Sequence, residues 1–254
     1  MLDANTIDAI ANEIIRQMQK GSAPAGQRAP QGDAAVPAPL PAALQSGGKD
    51  AGEMEDITSA AQKAVPTLQS PEDYDALIRM KGRTSARIGV GRCGPRLLTK
   101  TLLTLRAAHA LARDAVFTDV DPAFLTANGL FTVQTRCGDK NTHITRPDLG
   151  RQLSDEAVKT IRERCQKNPD VQIVVSDGLS SKAIEANVAN ALPAIVEGLE
   201  SRGLTVGTPF FIRFGRVAAE DAVAELLGPK VVCILIGERP GLGTAESMSA
   251  YICY

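Results

Sequence analysis

From residue 170 onward, short apolar runs alternate with longer amphipathic stretches. The runs are VQIVV, TPFFIRFG and KVVCILIG. Between them stand SKAIEANVANALPAIVEGLESRG and AAEDAVAELLG, read as helices closed by Gly203 and Gly228. Pro193 is a possible kink in the first of these helices. Strands and helices of these lengths in alternation mean a parallel sheet with crossover helices. SAYICY offers a last strand. Ligands of open α/β sheets bind beyond the carboxyl ends of the strands. Three such ends are Ser176-Asp177-Gly178, Arg213 to Val217 and Gly237 to Gly243. They present Asp177, Arg213, Arg216, Glu238 and Arg239, with glycines that let backbone approach a ligand. The competing reading is scaffold, with Asp177 capping the following helix and Arg216 pairing with Glu238.

Residues 66–168 read as a mainly helical region. SPEDYDALIRMKG opens on a Ser-Pro entry with Glu72 and Asp73 in the first turn. PRLLTKTLLTLRAAHALARDAVF is a long helix with Leu98, Leu102, Leu105 and Leu111 along one stripe. SDEAVKTIRERCQKNPD is capped by Ser154 and stopped by Asn168-Pro169. The stretch between them, CGDKNTHITRPDLGRQL, is polar and turn-rich. At the other end of the chain, residues 1–20 place Ile7, Ile10, Ile14 and Met18 at helical spacing. Residues 21–65 are rich in Ala, Pro and Gly and read as a disordered linker, because they bury too little surface to offset chain entropy. A short helix isolated by such a linker is not stable alone, so residues 1–20 read as a docking helix that folds on a partner.

The chain of 254 residues, 44% hydrophobic, is long enough for one large or two modest domains. A net charge of −1 gives no field that recruits nucleic acid or an anionic membrane. There is no apolar run of membrane-spanning length and no signal-peptide pattern. The five cysteines are scattered, without CxxC, and His109 and His143 do not cluster, which argues against a disulfide framework or a metal site. Reduced thiols point to the cytoplasm. GVGRCG is a literal G-x-G-x-x-G, with Asp114 following at about the spacing of a dinucleotide fingerprint. The preceding GRTSARI is too polar for the buried strand that such a fingerprint requires. Arg83, Arg87, Arg92 and Arg96 suggest a polar subunit interface or an anion contact. No G-x-S-x-G, Walker sequence or HExxH is present, and no nucleophile–base pair assembles from spacing, so no catalytic residue is assigned.

RPDLGRQL, VQIVVSDGLSSKAI, VGTPFFIRFGRV, GERPGLGTAESMSAY and GRCGPR closely resemble the small subunit of ethanolamine ammonia-lyase, from about Thr84 to Tyr254. The resemblance implies one subunit of an adenosylcobalamin-dependent enzyme that converts ethanolamine to acetaldehyde and ammonia by a radical rearrangement. It implies a large barrel subunit that carries the substrate pocket, and a Rossmann-like part over residues 169–254 that closes over the cobalamin at the subunit boundary. Family cobalamin contacts map onto Val217 and Glu238, and Arg216, Arg239 and Asp177 join them as candidate cofactor residues. The absence of D-x-H-x-x-G agrees with a base-on cofactor. The N-terminal helix resembles signals that load such enzymes into bacterial microcompartments, which implies a shell partner and a place in the lumen. The family continues past the position of Tyr254 into a segment with a third, cysteine, contact. Cys253 is not its counterpart, so the cobalamin-binding domain reads as C-terminally shortened. The alternative is a non-catalytic cargo or assembly protein with impaired cofactor binding.

Overall fold

A computed structural model describes residues 12, 13, 15, 16, 56, 57 and 59–254. The expected linker over 21–65 lies outside the described residues, except at its end. There a five-residue helix, α1 (Ala60–Ala64), forms where an Ala-rich run meets the Ser59 cap. Of the expected helix over 1–20, Asn12, Glu13, Ile15 and Arg16 are described and are helical; the remainder lies outside the described residues. Glu13 is not isolated from the body of the chain. Its carboxylate is buried and accepts from Arg16 at 3.0 Å and from Arg202 at 2.7 Å.

The chain divides into two compact units, one of 24–107 and one of 1–23 with 108–254. In the smaller unit α2 (Tyr74–Lys81) begins later than the Ser-Pro entry suggests. Asp73 lies outside the first turn and is the cap, accepting from the Ala76 N–H. β1 (Arg92–Cys93) and β2 (Arg96–Leu97) form a tight antiparallel hairpin. The G-x-G-x-x-G glycines therefore shape a hairpin rather than a phosphate loop. A Cβ on Gly91 would meet the Thr67 carbonyl at 2.1 Å. α3 (Thr99–Phe117) follows, and the division between the two units falls within it, after Ala107. Its leucine stripe is not its core face: Leu102 and Leu111 are exposed, while Thr101, Ala108, Ala112 and Ala115 are buried. Both stripes have helical spacing, and the small residues take the buried side.

The larger unit carries α4 (Pro122–Ala127), β3 (Phe131–Gln134), α5 (Lys140–Thr145), α6 (Asp155–Arg164), β4 (Val171–Ser176), α7 (Ser181–Glu200), β5 (Phe210–Arg213), α8 (Ala219–Leu227), β6 (Val231–Gly237) and β7 (Met248–Cys253). Ser154 caps α6 as expected, and α7 runs through Pro193. The five-stranded sheet has the order β3-β5-β4-β6-β7; the first four strands are parallel and β7 is antiparallel to β6. SAYICY thus supplies an edge strand. The first strand, β3, comes from within the mainly helical stretch.

This order decides where loops converge. The chain steps from β3 across β5 to β4, back to β5, then across β4 to β6. Right-handed crossovers place helices of forward and backward steps on opposite faces. Ala157 and Ile161 of α6 and Val223 of α8 accordingly pack with Val174, Ile212 and Ile234. On the other face Ile184, Val188 and Ile195 of α7 pack with Ile173, Val175 and Leu235. The connections leaving β4 and β5 therefore part to opposite faces, which opens a crevice at their carboxyl ends. Among the described residues no helix is long and apolar enough to cross a membrane.

At the opposite edge Asp170 ties the strand beginnings together. Its carboxylate accepts from the Thr205 N–H at 2.8 Å, the Thr205 hydroxyl at 2.7 Å and Lys230 at 2.6 Å. Lys230 and then Thr205 hold its carboxyl down at about 2, from an ordinary 3.8. A depressed carboxyl adds stability above the unfolded value that is lost as pH falls through the folded value. Asp170→Asn is expected to lower stability by about 2 kcal/mol at pH 7. Urea unfolding should show that deficit shrinking between about pH 4 and about pH 2.

Candidate functional site

The loops after β4 and β6 meet through their backbones. Gly178 has a φ of +50°, and a Cβ there would lie 2.4 Å from the Gly237 carbonyl oxygen. A Cβ on Gly237 would lie 2.2 Å from the Ser180 carbonyl. Only glycine fits both places, and the contact is sealed by the Leu179 N–H donating to the Gly237 carbonyl at 2.9 Å. The turn that follows β6 is then drawn onto the start of α7. Ser180 donates to the Ala245 carbonyl, and Asn187 donates to the Glu246 carbonyl at 2.8 Å. Glu238 is half-buried on this turn. The Tyr251 hydroxyl donates to its Oε1 at 2.7 Å, while Oε2 takes no hydrogen bond among the described residues. Arg239 is exposed.

The loop after β5 starts in an unusual backbone state. Phe214 has a φ of +61° although it is a bulky side chain with only 1% exposure. Such a conformation costs about 1–3 kcal/mol and persists only where surroundings over-determine it. Here the Phe214 N–H donates to Asp177 Oδ1 at 2.8 Å, and its carbonyl accepts from the Thr135 hydroxyl at 2.9 Å. Its ring lies under two cations, with the Arg213 guanidinium 4.5 Å and the Lys140 ammonium 5.2 Å from the centroid. Gly215 follows, where a Cβ would stand 2.4 Å from Ser176 Oγ. Arg216 is then fixed twice: its N–H donates to the Gly150 carbonyl at 2.9 Å and its Nη2 to the His143 carbonyl at 2.6 Å. Val217 is half-buried against the α6 and α8 face.

Asp177 does not cap α7; Ser180 does, accepting from the Ala183 N–H. Arg216 does not pair with Glu238. Asp177 and Arg216 instead share a buried network with residues from the polar stretch before α6. Lys140 donates to Asp177 Oδ2 at 2.9 Å. His143 is fully buried, and its Nε2 faces the Gly178 carbonyl at 2.8 Å. A carbonyl only accepts, so Nε2 carries the proton. Burial, then the Arg216 charge, push this imidazole below its ordinary range and keep it neutral. Burial likewise pushes the Arg216 guanidinium down, with a smaller push from the like charge of Arg239, and raises the Cys137 thiol. Arg213 leaves the crevice and pairs with Asp119 at 2.7 Å.

Thr135, Lys140 and His143 carry no sequence signal of a site. Thr135 directly follows β3, and Lys140 and His143 lie in a turn-rich stretch without periodicity, where Asp139 caps α5. The structure thus brings Asp177, Arg216 and Val217 onto one crevice. Glu238 stands across the Gly178–Gly237 contact, with Arg239 outward. The crevice offers an apolar Val217 and one open carboxylate oxygen, that of Glu238. The open oxygen can accept a hydrogen bond from a ligand donor.

Glu220, in the first turn of α8, is only 8% exposed, and its Oε2 is buried with no hydrogen-bond partner among the described residues. Burial, and then the neighbouring Asp221 charge, push its carboxyl up to about 7 from 4.5. A raised carboxyl adds stability below the unfolded value that is lost as pH rises through the folded value. Glu220→Gln is therefore expected to be more stable than the parent at pH 8 by about 2–3 kcal/mol. The two proteins should converge below about pH 4.5. Thermal or urea unfolding from pH 4.5 to pH 8 measures it, and equal stability at both ends would contradict the burial of an unanswered carboxyl.

Residues 74–254 match the family described as ethanolamine ammonia-lyase light chain (EutC). The ethanolamine ammonia-lyase small subunits of Fusobacterium nucleatum and Clostridium tetani are each 53% identical over 203 residues, spanning 80% of this chain and 69% of theirs. That of Clostridium perfringens is 53% identical over 199 residues, spanning 78% of this chain and 68% of its own.

Proposed function

The chain belongs to the ethanolamine ammonia-lyase light-chain family, and we propose from this that it is the small subunit of a hetero-oligomeric carbon–nitrogen lyase that holds adenosylcobalamin against a large subunit. The reaction is the conversion of ethanolamine to acetaldehyde and ammonia. When bound, adenosylcobalamin supplies the radical chemistry. What this chain supplies is a rim. One observation carries the reading: Val217 and Glu238, on which family cobalamin contacts map, stand at two carboxyl ends of a single sheet, half-buried and accessible.

The residues present fit such a cofactor. A corrin ring is bordered by neutral carboxamides, whose N–H groups need acceptors. Glu238 offers Oε2, and an ionised carboxylate only accepts. Val217 offers an apolar wall, and Gly215 and Gly237 let the strand-end loops close on one another. Arg239 is placed to meet amide carbonyls or the phosphate of the nucleotide tail. Arg216 holds the loop from beneath. The sheet is read here as Rossmann-like, with the ligand at its carboxyl edge. Docking of residues 1–20 into a microcompartment shell, and a place in the lumen, belong to the same proposal.

The test is cobalamin titration into the complex assembled with a large subunit, followed by absorption. A hydrogen bond to a charged group is worth about 1.5–3 kcal/mol, so Glu238→Ala should weaken binding about 10- to 100-fold with assembly intact. Glu238→Gln should lose less, because its carbonyl still accepts. A parent complex that binds no cobalamin would overturn the proposal. Glu238→Ala binding like the parent would make Glu238 scaffold.

A further inference from the structure

Burial withholds the Asp177 carboxylate from a ligand. Oδ1 accepts from the Phe214 N–H at 2.8 Å and Oδ2 from Lys140 at 2.9 Å, and the residue is 1% exposed. Lys140 itself keeps only 10% of its side chain exposed. Both partners reach the loop that leads to Val217. Asp177 holds the N–H of Phe214, whose φ is +61°, and the Lys140 ammonium lies 5.2 Å from the Phe214 ring centroid. Thr135 holds the Phe214 carbonyl from the other side at 2.9 Å.

We propose that the Lys140–Asp177 ion pair is a latch that presets the β5–α8 loop in its cofactor-binding shape, which makes Lys140 and Asp177 positioning residues rather than cofactor contacts. The inference rests on the cofactor reading above. A left-handed phenylalanine returns to ordinary backbone geometry once the acceptor of its N–H moves. Asp177 stays in place because Lys140 answers its charge; without Lys140 a buried carboxylate is unpaired and turns toward water. The loop from Phe214 to Val217 then samples other shapes, and the apparent affinity for anything bound there falls with the fraction that remains competent.

The experiment uses the complex assembled with a large subunit and four variants: Lys140→Met, Lys140→Arg, Asp177→Asn, and Asp177→Asn combined with Lys140→Met. Hydrogen exchange over residues 210–218 is read without cofactor, and cobalamin affinity is read by titration. Lys140→Met should speed exchange of the 214–217 amides about tenfold. If the competent fraction falls to about a tenth, the dissociation constant rises about tenfold. Lys140→Arg should stay within about threefold of the parent in both. The double variant should recover most of both losses, because the asparagine side chain is neutral and its amide oxygen still accepts from the Phe214 N–H.

Several outcomes overturn the latch. One is unchanged exchange in Lys140→Met. Another is faster exchange with unchanged affinity, which denies the loop's role at the cofactor. A third is a double variant as weak as Lys140→Met, the result expected if the Asp177 charge itself met the ligand. If Lys140→Met does not assemble, Asp177→Asn against the double variant carries the test: the double variant should exchange more slowly and bind more tightly, since it no longer buries an unpaired ammonium. A parent complex that binds no cobalamin removes the cofactor reading and the positioning role together, whereas failure of the exchange arm alone leaves the cofactor reading standing.

Discussion

A buried carboxylate at the carboxyl end of β4 organises everything around it. An ionised carboxylate in an apolar interior is costly by many kcal/mol unless paired and hydrogen-bonded. Asp177 meets that demand with Lys140 from α5 and with the Phe214 N–H after β5. Satisfying one charge thus fastens three segments that are remote in sequence. His143, on the same short helix as Lys140, adds a contact to the Gly178 carbonyl, and its own carbonyl takes the Arg216 guanidinium. Within this network His143 Nδ1 and Arg216 Nε are buried and take no hydrogen bond among the described residues.

The second constraint is room. Gly150, Gly178, Gly215 and Gly237 each stand where a Cβ would collide with backbone or side chain at 2.2–2.7 Å. Close approach of β4, β5 and β6 at this edge lets loops that leave toward opposite faces meet around one point. At the other edge Asp170 performs the fastening with Thr205 and Lys230. The sheet is held at both ends, and the carboxyl end is left free to present Val217 and Glu238.

Much of this frame was legible in the sequence, and the reasons differ by element. β4, β5 and β6 are continuous apolar runs bounded by polar turns, and α7 and α8 lie between them, so alternation alone placed three strand ends together. β3 was missed because Phe131–Gln134 is a short run that carries no signal separating it from its helical neighbours. On α3 two stripes have helical spacing, and spacing alone does not say which is buried; it is the one with Ala108, Ala112 and Ala115. At the site, strand ends pointed to Asp177, Arg216 and Glu238 but not to their roles. Asp177 faces inward to Lys140 and Phe214, and that pairing depends on α5, a helix of six residues in a stretch without periodicity. Family resemblance supplied Val217, whose apolar side chain no reading of chemistry singles out.

In the proposed function the carboxyl edge of this sheet meets the cofactor through Val217 and Glu238 while the Asp177 network stays behind it. A structure of the assembled complex with adenosylcobalamin bound measures that directly. The expected result is a corrin carboxamide within about 3 Å of the Glu238 carboxylate and corrin carbon within about 4 Å of Val217, with Lys140 still on Asp177 and Phe214 still left-handed. A cofactor seated away from both strand ends would overturn the assignment of Val217 and Glu238, and an Asp177 that has left Lys140 to touch the cofactor would overturn its positioning role.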